Sequence, residues 1–176
     1  MPRKRSASEV PQTSLGSFQS LDHVANWVRF ADTKATILTA GLGVIATMLV
    51  ANCGIVLNSF SKGCLQAAFI GLLSALCIAA FGYTLFWLIR SIGPSTGSSS
   101  GALNRFAWPT LSKVDFETLK KHINDNSLED DAWNQVIDLA KIAENKFHAC
   151  SRAITGFAFL ISFALMCIIV ANIIVN

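Results

Sequence analysis

The chain has 176 residues, 52% of them hydrophobic and 14% charged, with a formal net charge of +3. Three stretches, Ala35 to Ser61, Gly63 to Ile89 and Ala153 to Asn176, are free of charge for longer than the ~20 residues that cross ~30 Å of hydrocarbon, which excludes a purely soluble protein. In a three-span arrangement every Lys and Arg except Lys62 falls on one side, so the positive charge is a topology signal and not the footprint of a nucleic-acid polymer.

Residues 1–19, rich in Ser, Pro and Gln with Arg3, Lys4 and Arg5 near the start, have the composition of a disordered basic tail near anionic lipid. Ser20 then reads as a helix cap. Leu21, Val24, Trp27, Val28, Ala31 and Ala35 repeat at i, i+3, i+4, i+7, and neither Pro nor Gly intervenes before Gly41, so one amphipathic helix is predicted to continue into the first span over 20–57. Trp27 and Phe30 fall at interfacial depth. The apolar run starts too far from Met1, and is too long, for a signal peptide.

The second span is predicted over 64–90. Ala35, Thr39, Gly43, Thr47 and Ala51 recur every four residues, as do Ala67, Gly71, Ala75 and Ala79. Small residues at this spacing let backbones approach closely in lipid, so a hairpin of the first two spans zipped along these stripes is expected. The same faces offer a homo-oligomer as the alternative to this favoured hairpin.

Residues 91–111 read as a flexible linker through Ser91-Ile92-Gly93-Pro94 and Thr96 to Gly101, ending in the aromatic knot Arg105-Phe106-Ala107-Trp108-Pro109. Cytoplasmic helices are predicted over 112–152. Ser112 and Asp115 resemble a cap and first-turn acid for a short helix whose Val114, Phe116, Leu119 and Ile123 share a face that should dock on something apolar. Ser127 opens the next helix, with Glu129, Asp130 and Asp131 in its first turn. Trp133, Val136, Ile137, Ala140, Ala143, Phe147 and Cys150 then form a stripe, and no Gly or Pro occurs before Gly156. Stalk and third span (153–175) should be one rigid rod.

The basic borders Lys34, Arg90 and Arg152 share a side only if the chain enters, returns and leaves again. The N-terminus is therefore placed in the cytoplasm and the C-terminus outside. All told, the fold class is an all-α membrane protein, three transmembrane helices with a helical cytoplasmic insert between the second and third.

Enzyme chemistry has little to stand on. His23, His122 and His148 are scattered, no Gly-rich phosphate loop is flanked by strand and helix, and the five cysteines follow no zinc spacing. No enzyme activity, metal or cofactor is expected. The spans carry no acidic or basic residue at mid-depth, unlike proton-coupled transporters. Three helices alone are too few for a channel, so a pore would need an oligomer.

Arg29-Phe30-Ala31-Asp32-Thr33-Lys34-Ala35, before the first span, and Gln135 to Phe147 with Arg152-Ala153, before the third, resemble the paired signatures of the Pycsar transmembrane effector family. The shared pattern is an Asp-x-Lys-Ala step and a Gln-(Ile/Val)-x-x-Leu-Ala run, over about Leu21 to the end. One departure stands out: Phe106-Ala107-Trp108-Pro109 replaces a Phe-Gly element frequent in the family's loop. The resemblance implies antiphage defence at the bacterial inner membrane. A partner pyrimidine nucleotide cyclase makes a cyclic pyrimidine mononucleotide (cCMP or cUMP), and the effector impairs membrane integrity, causing abortive infection. The alternative is a constitutive three-span scaffold or assembly subunit with no nucleotide ligand.

Two residue sets follow. A cyclic nucleotide needs a cation for its phosphate and an aromatic face for its base; Arg105 with Trp108 offers both, and Asn134, Lys141 and Lys146 are further candidates along the stalk. At the membrane boundary Asp32, Lys34 and Arg152 are the gating candidates. Lys34 reads as a snorkelling anchor. Asp32 needs a cation, with Arg29, Lys146 and Arg152 available, and a pairing with a base of the last helix would latch the closed state.

Overall fold

The computed structural model describes residues 12–93 and 103–175. Six helices follow in chain order: α1 (Gln12–Ala51), α2 (Cys53–Ser59), α3 (Cys64–Ile92), α4 (Trp108–Leu111), α5 (Phe116–Asp125) and α6 (Leu128–Val175), with no strand among the described residues. By length and composition three of them can cross a membrane, within Gly16–Ala51, Cys64–Ile92 and Leu128–Val175. The chain is an all-α, multi-pass membrane protein. At ~1.5 Å per residue, the 48 residues of α6 span about 70 Å and the 40 of α1 about 60 Å. Both exceed the ~30 Å hydrocarbon layer twofold.

Helix boundaries differ from the sequence reading in several places. α1 starts at Gln12 and not at the Ser20 cap, so residues 12–19 of the expected disordered tail are helical; residues 1–11 lie outside the described residues. The first span is interrupted at Asn52 (φ −97°, ψ 4°), where α1 gives way to α2. The Asn52 side-chain amide donates to the Met48 carbonyl at 2.8 Å, the same oxygen its backbone N–H reaches at 3.2 Å, a local competition of the kind that bends helices. Residues 94–102 of the expected linker lie outside the described residues, and its end, Trp108–Leu111, forms the single turn α4, with Pro109 in its first turn.

The chain divides into two compact units. The second comprises Phe30–Gly93 with Asn145–Asn176. Its core joins Ala35 and Leu42 of α1, Leu88 of α3, and Ala153 and Leu160 of α6, continued by Leu73, Cys77, Ala164 and Cys167. Ala149, Ala153, Gly156, Leu160, Ala164, Cys167 and Ala171 follow one another three or four residues apart along α6, and each is buried. Here lies the small-residue seam that lets backbones approach. Its tightest point is Gly156, where an added Cβ would stand 2.6 Å from Tyr83 Cδ1 and 2.7 Å from Thr84 Oγ1.

The expected zip between the first two spans is therefore corrected. Thr39, Gly43, Thr47 and Ala51 are exposed, as are Ala75 and Ala79. The buried face of α3 is instead Ile70, Leu73, Cys77, Thr84, Leu88 and Ser91. Packing larger side chains against a small-residue face on a third helix fills space better than closing two small faces on each other. The Thr39 and Thr47 hydroxyls bond their own helix, at the Ala35 and Val44 carbonyls. At one end of this unit Lys62 of the α2–α3 turn reaches the Val175 carbonyl at 3.5 Å, and Ser59 Oγ the Ala171 carbonyl at 3.3 Å.

The first unit takes α1 up to Arg29 together with the chain from Pro94 to Glu144. Asn104 organises its loop: Oδ1 accepts from the Phe106 N–H at 2.8 Å, Nδ2 donates to the Asp131 carbonyl at 2.8 Å, and Phe106 meets Phe18 edge-on at 6.0 Å. α5 begins three residues later than the Ser112 cap reading. Asp115 is the N-cap, and Ser112 closes α4. No α5 residue is fully buried; of its expected apolar face Val114 and Leu119 are half-buried while Phe116 and Ile123 stand exposed. Along this stretch of α6 the buried apolar positions are Ala132 and Ala143, while Trp133 and Ile137 of the predicted stripe lie exposed.

Candidate functional site

In the first unit the first turn of α6 assembles a polar cluster. Ser127 caps it: its Oγ accepts the Asp130 N–H at 3.0 Å and donates to the Asp130 carboxylate at 2.6 Å, the reciprocal arrangement a helix start favours. One residue on, Asp131 is buried at 4% exposure. A buried carboxylate needs paired charge and hydrogen bonds. Arg105 Nε donates to Oδ2 at 2.5 Å, and His122 Nε2 lies 3.0 and 3.1 Å from the two oxygens. Arg105 Nη2 also donates to the Asn126 carbonyl at 2.9 Å, and Asn126 Nδ2 stands 3.0 Å from His122 Nδ1. With Nδ1 accepting from that amide, Nε2 carries the hydrogen and donates to Asp131.

Arg105, the expected phosphate cation, is engaged within the protein by Asn126 and Asp131. Trp108 is 65% exposed on α4, and no described contact brings it to the guanidinium. Asn134 and Lys141 are exposed on α6. Nothing at the level of spacing could have announced the cluster, since Arg105 and Asp131 are 26 residues apart.

The second unit holds the membrane-boundary candidates. Lys146 Nζ of α6 donates to the Asp32 carboxylate of α1; the lysine side chain is 10% exposed and the aspartate 46%. Of the three bases open to Asp32 in the sequence, Lys146 supplies the pairing. Ser91 of α3 donates to the Lys146 carbonyl at 3.4 Å, so the three long helices meet at this point. Lys34 Nζ lies 4.5 Å from the Phe30 ring centroid and 5.4 Å from that of Phe147, and the Arg152 guanidinium lies 4.5 Å over Trp87. Lys34 and Arg152 thus each rest on an aromatic face, a contact favourable by about 0.5–2 kcal/mol as desolvation increases.

Over residues 17–175 the sequence matches the family model described as a Pycsar effector protein domain. The chain belongs to that family. The match takes in both compact units, so the Pycsar effector domain is the polar cluster together with the spans. Neither the curated proteins nor the solved structures contain a match.

Two further features of this Pycsar effector domain bear on chemistry. An open cleft of about 610 Å³ in the first unit is lined by Gln19, Ser20, His23 and Val24 of α1 and by Trp133 and Val136 of α6, a volume in the range of small-molecule sites. Among the described residues no group of His, Cys, Asp and Glu is placed to hold a metal ion. At the start of α5 the Asp115 carboxylate accepts from the Thr118 hydroxyl at 2.7 Å and its N–H at 3.1 Å. The hydroxyl above all, and then the N–H, hold this carboxyl below the usual carboxylate range.

Proposed function

We propose that this chain is the non-enzymatic membrane effector of a Pycsar antiphage system, responding to a cyclic pyrimidine mononucleotide, cCMP or cUMP, made by a partner cyclase. The reading rests on one observation: a Pycsar effector match over residues 17–175 that includes helices able to cross a membrane three times. On this reading the first unit faces the cytoplasm, with the C-terminus outside the inner membrane, and the ligand acts on that unit. The consequence is loss of membrane integrity and abortive infection. A pore would need several copies, because the described spans close on one another around α6.

The resting state is held by the Asp32–Lys146 pair. An ion pair with a nearly buried lysine and a half-exposed aspartate suits a latch: its net contribution is about 1 kcal/mol, yet one partner left alone in the bundle costs more. α6 is one helix from Leu128 to Val175, which supports a mechanical route by which a shift in its first turns loosens the pair.

Cells carrying the chain with or without a pyrimidine nucleotide cyclase, followed with a membrane-potential dye, test the proposal. Depolarisation that appears only when cyclic pyrimidine nucleotide is produced is the expected result. Behaviour indifferent to the cyclase would return the chain to the scaffold reading.

A further inference from the structure

The first-unit cleft has a composition unlike that of a phosphate site. Its polar side chains are the Gln19 amide, the Ser20 hydroxyl and the His23 imidazole; Gly16, Val24, Val136 and the Trp133 indole provide the rest, and none of the seven is Lys, Arg, Asp or Glu. A phosphate without a cation is poorly held, whereas a neutral heteroaromatic ring needs a flat apolar face and a few groups that can each donate and accept. Trp133 supplies the face. It is a large indole 42% exposed on a helix whose small Ala132 neighbour is fully buried, so the ring is turned to the cleft side and not into the core.

The edge groups are of the right kind as well. An amide both donates and accepts, a hydroxyl rotates to suit, and a neutral imidazole offers one of each. Together they can satisfy the hydrogen-bonding edge of either cytosine or uracil. His23 is held in place by packing edge-on against Trp27, ring centroids 6.0 Å apart at 85°. We infer that this cleft is the base-recognition site, taking the pyrimidine ring of the cyclic mononucleotide stacked on Trp133 and edged by Gln19, Ser20 and His23, with the charged phosphodiester left toward solvent. This rests on the nucleotide-responsive reading above, but it moves the site away from Arg105 and Trp108.

The test uses the full chain purified in detergent and titrated with cyclic CMP and cyclic UMP, with binding read by calorimetry and by quenching of tryptophan fluorescence. Wild type should bind at least one of the two. Trp133→Ala should weaken that binding about ten- to hundred-fold, the usual loss of one stacking platform. Trp133→Phe should retain most of it, and Trp108→Ala should stay within about twofold of wild type. Melting curves of all variants report folding separately. Wild-type binding that survives Trp133→Ala unchanged would overturn the cleft assignment and leave the nucleotide reading standing. Absence of binding by folded wild type would overturn the nucleotide reading itself.

Discussion

The Lys146 ammonium of α6 donates to the Asp32 carboxylate of α1, tying together residues 114 positions apart. Lys146 is the more enclosed partner, at 10% exposure against 46%, so the two halves of the pair are unequal in consequence. Asp32→Asn leaves a shielded ammonium without its counter-charge. Lys146→Met removes the charge that needed shielding. In a double-mutant cycle on the detergent-solubilised protein the pair should show a coupling of about 1 kcal/mol. Asp32→Asn should also raise membrane damage in the absence of nucleotide, and Lys146→Met added to it should partly restore stability. Asp32→Asn behaving like wild type at equal expression would remove the latch.

Asp131 receives both Arg105 and His122 while being almost fully buried. Asp131→Ala should destabilise the first unit by about 3 kcal/mol, the usual cost of breaking a buried pair from one side. Arg105→Lys should cost less, because an ammonium can still meet the carboxylate but cannot also span to the Asn126 carbonyl as the guanidinium fork does. Thermal melts and the rate of proteolytic cutting within residues 103–127 give the order of the two.

Gly156 is the point of closest approach in the second unit, with Tyr83 and Thr84 where its Cβ would be. Gly156→Ala should cost about 1–3 kcal/mol through overpacking. Gly82, with nothing within 4 Å of an added Cβ, provides the comparison: Gly82→Ala should be neutral or stabilising by up to about 1 kcal/mol. Equal effects at the two positions in a thermal melt would contradict the α3–α6 contact.

Asp115 makes the start of α5 sensitive to acid. Its carboxyl titrates below the usual range because the Thr118 hydroxyl and N–H favour the ionised form. A depressed folded pKa contributes stability that is present above the unfolded value and lost as pH falls through the folded one. Amide exchange at Phe116 to Thr118 should therefore speed up as pH drops below the carboxylate range, once corrected for intrinsic rates. Asp115→Asn, which keeps a capping side chain but cannot titrate, should abolish the pH dependence.

Much of this was local and so legible in the sequence. Three uncharged runs longer than a bilayer, the Ser127 cap, the absence of Pro and Gly that makes α6 a single helix, and the need of Asp32 for a cation all depend on residues within a few turns of one another. Even the start of α1 ahead of Ser20 and the break at Asn52 are outcomes of local competition, a helix extending past its apparent cap and an amide bidding for a backbone carbonyl. Only the tertiary structure decided partners. It chose Lys146 among the bases open to Asp32, committed Arg105 to an aspartate 26 residues on, and set the small-residue seam on α6 instead of between the first two spans. Periodicity specifies which face of a helix is apolar or small, because it repeats every turn. Which face finds which depends on volume and charge brought together from distant parts of the chain, and spacing along the chain does not encode that.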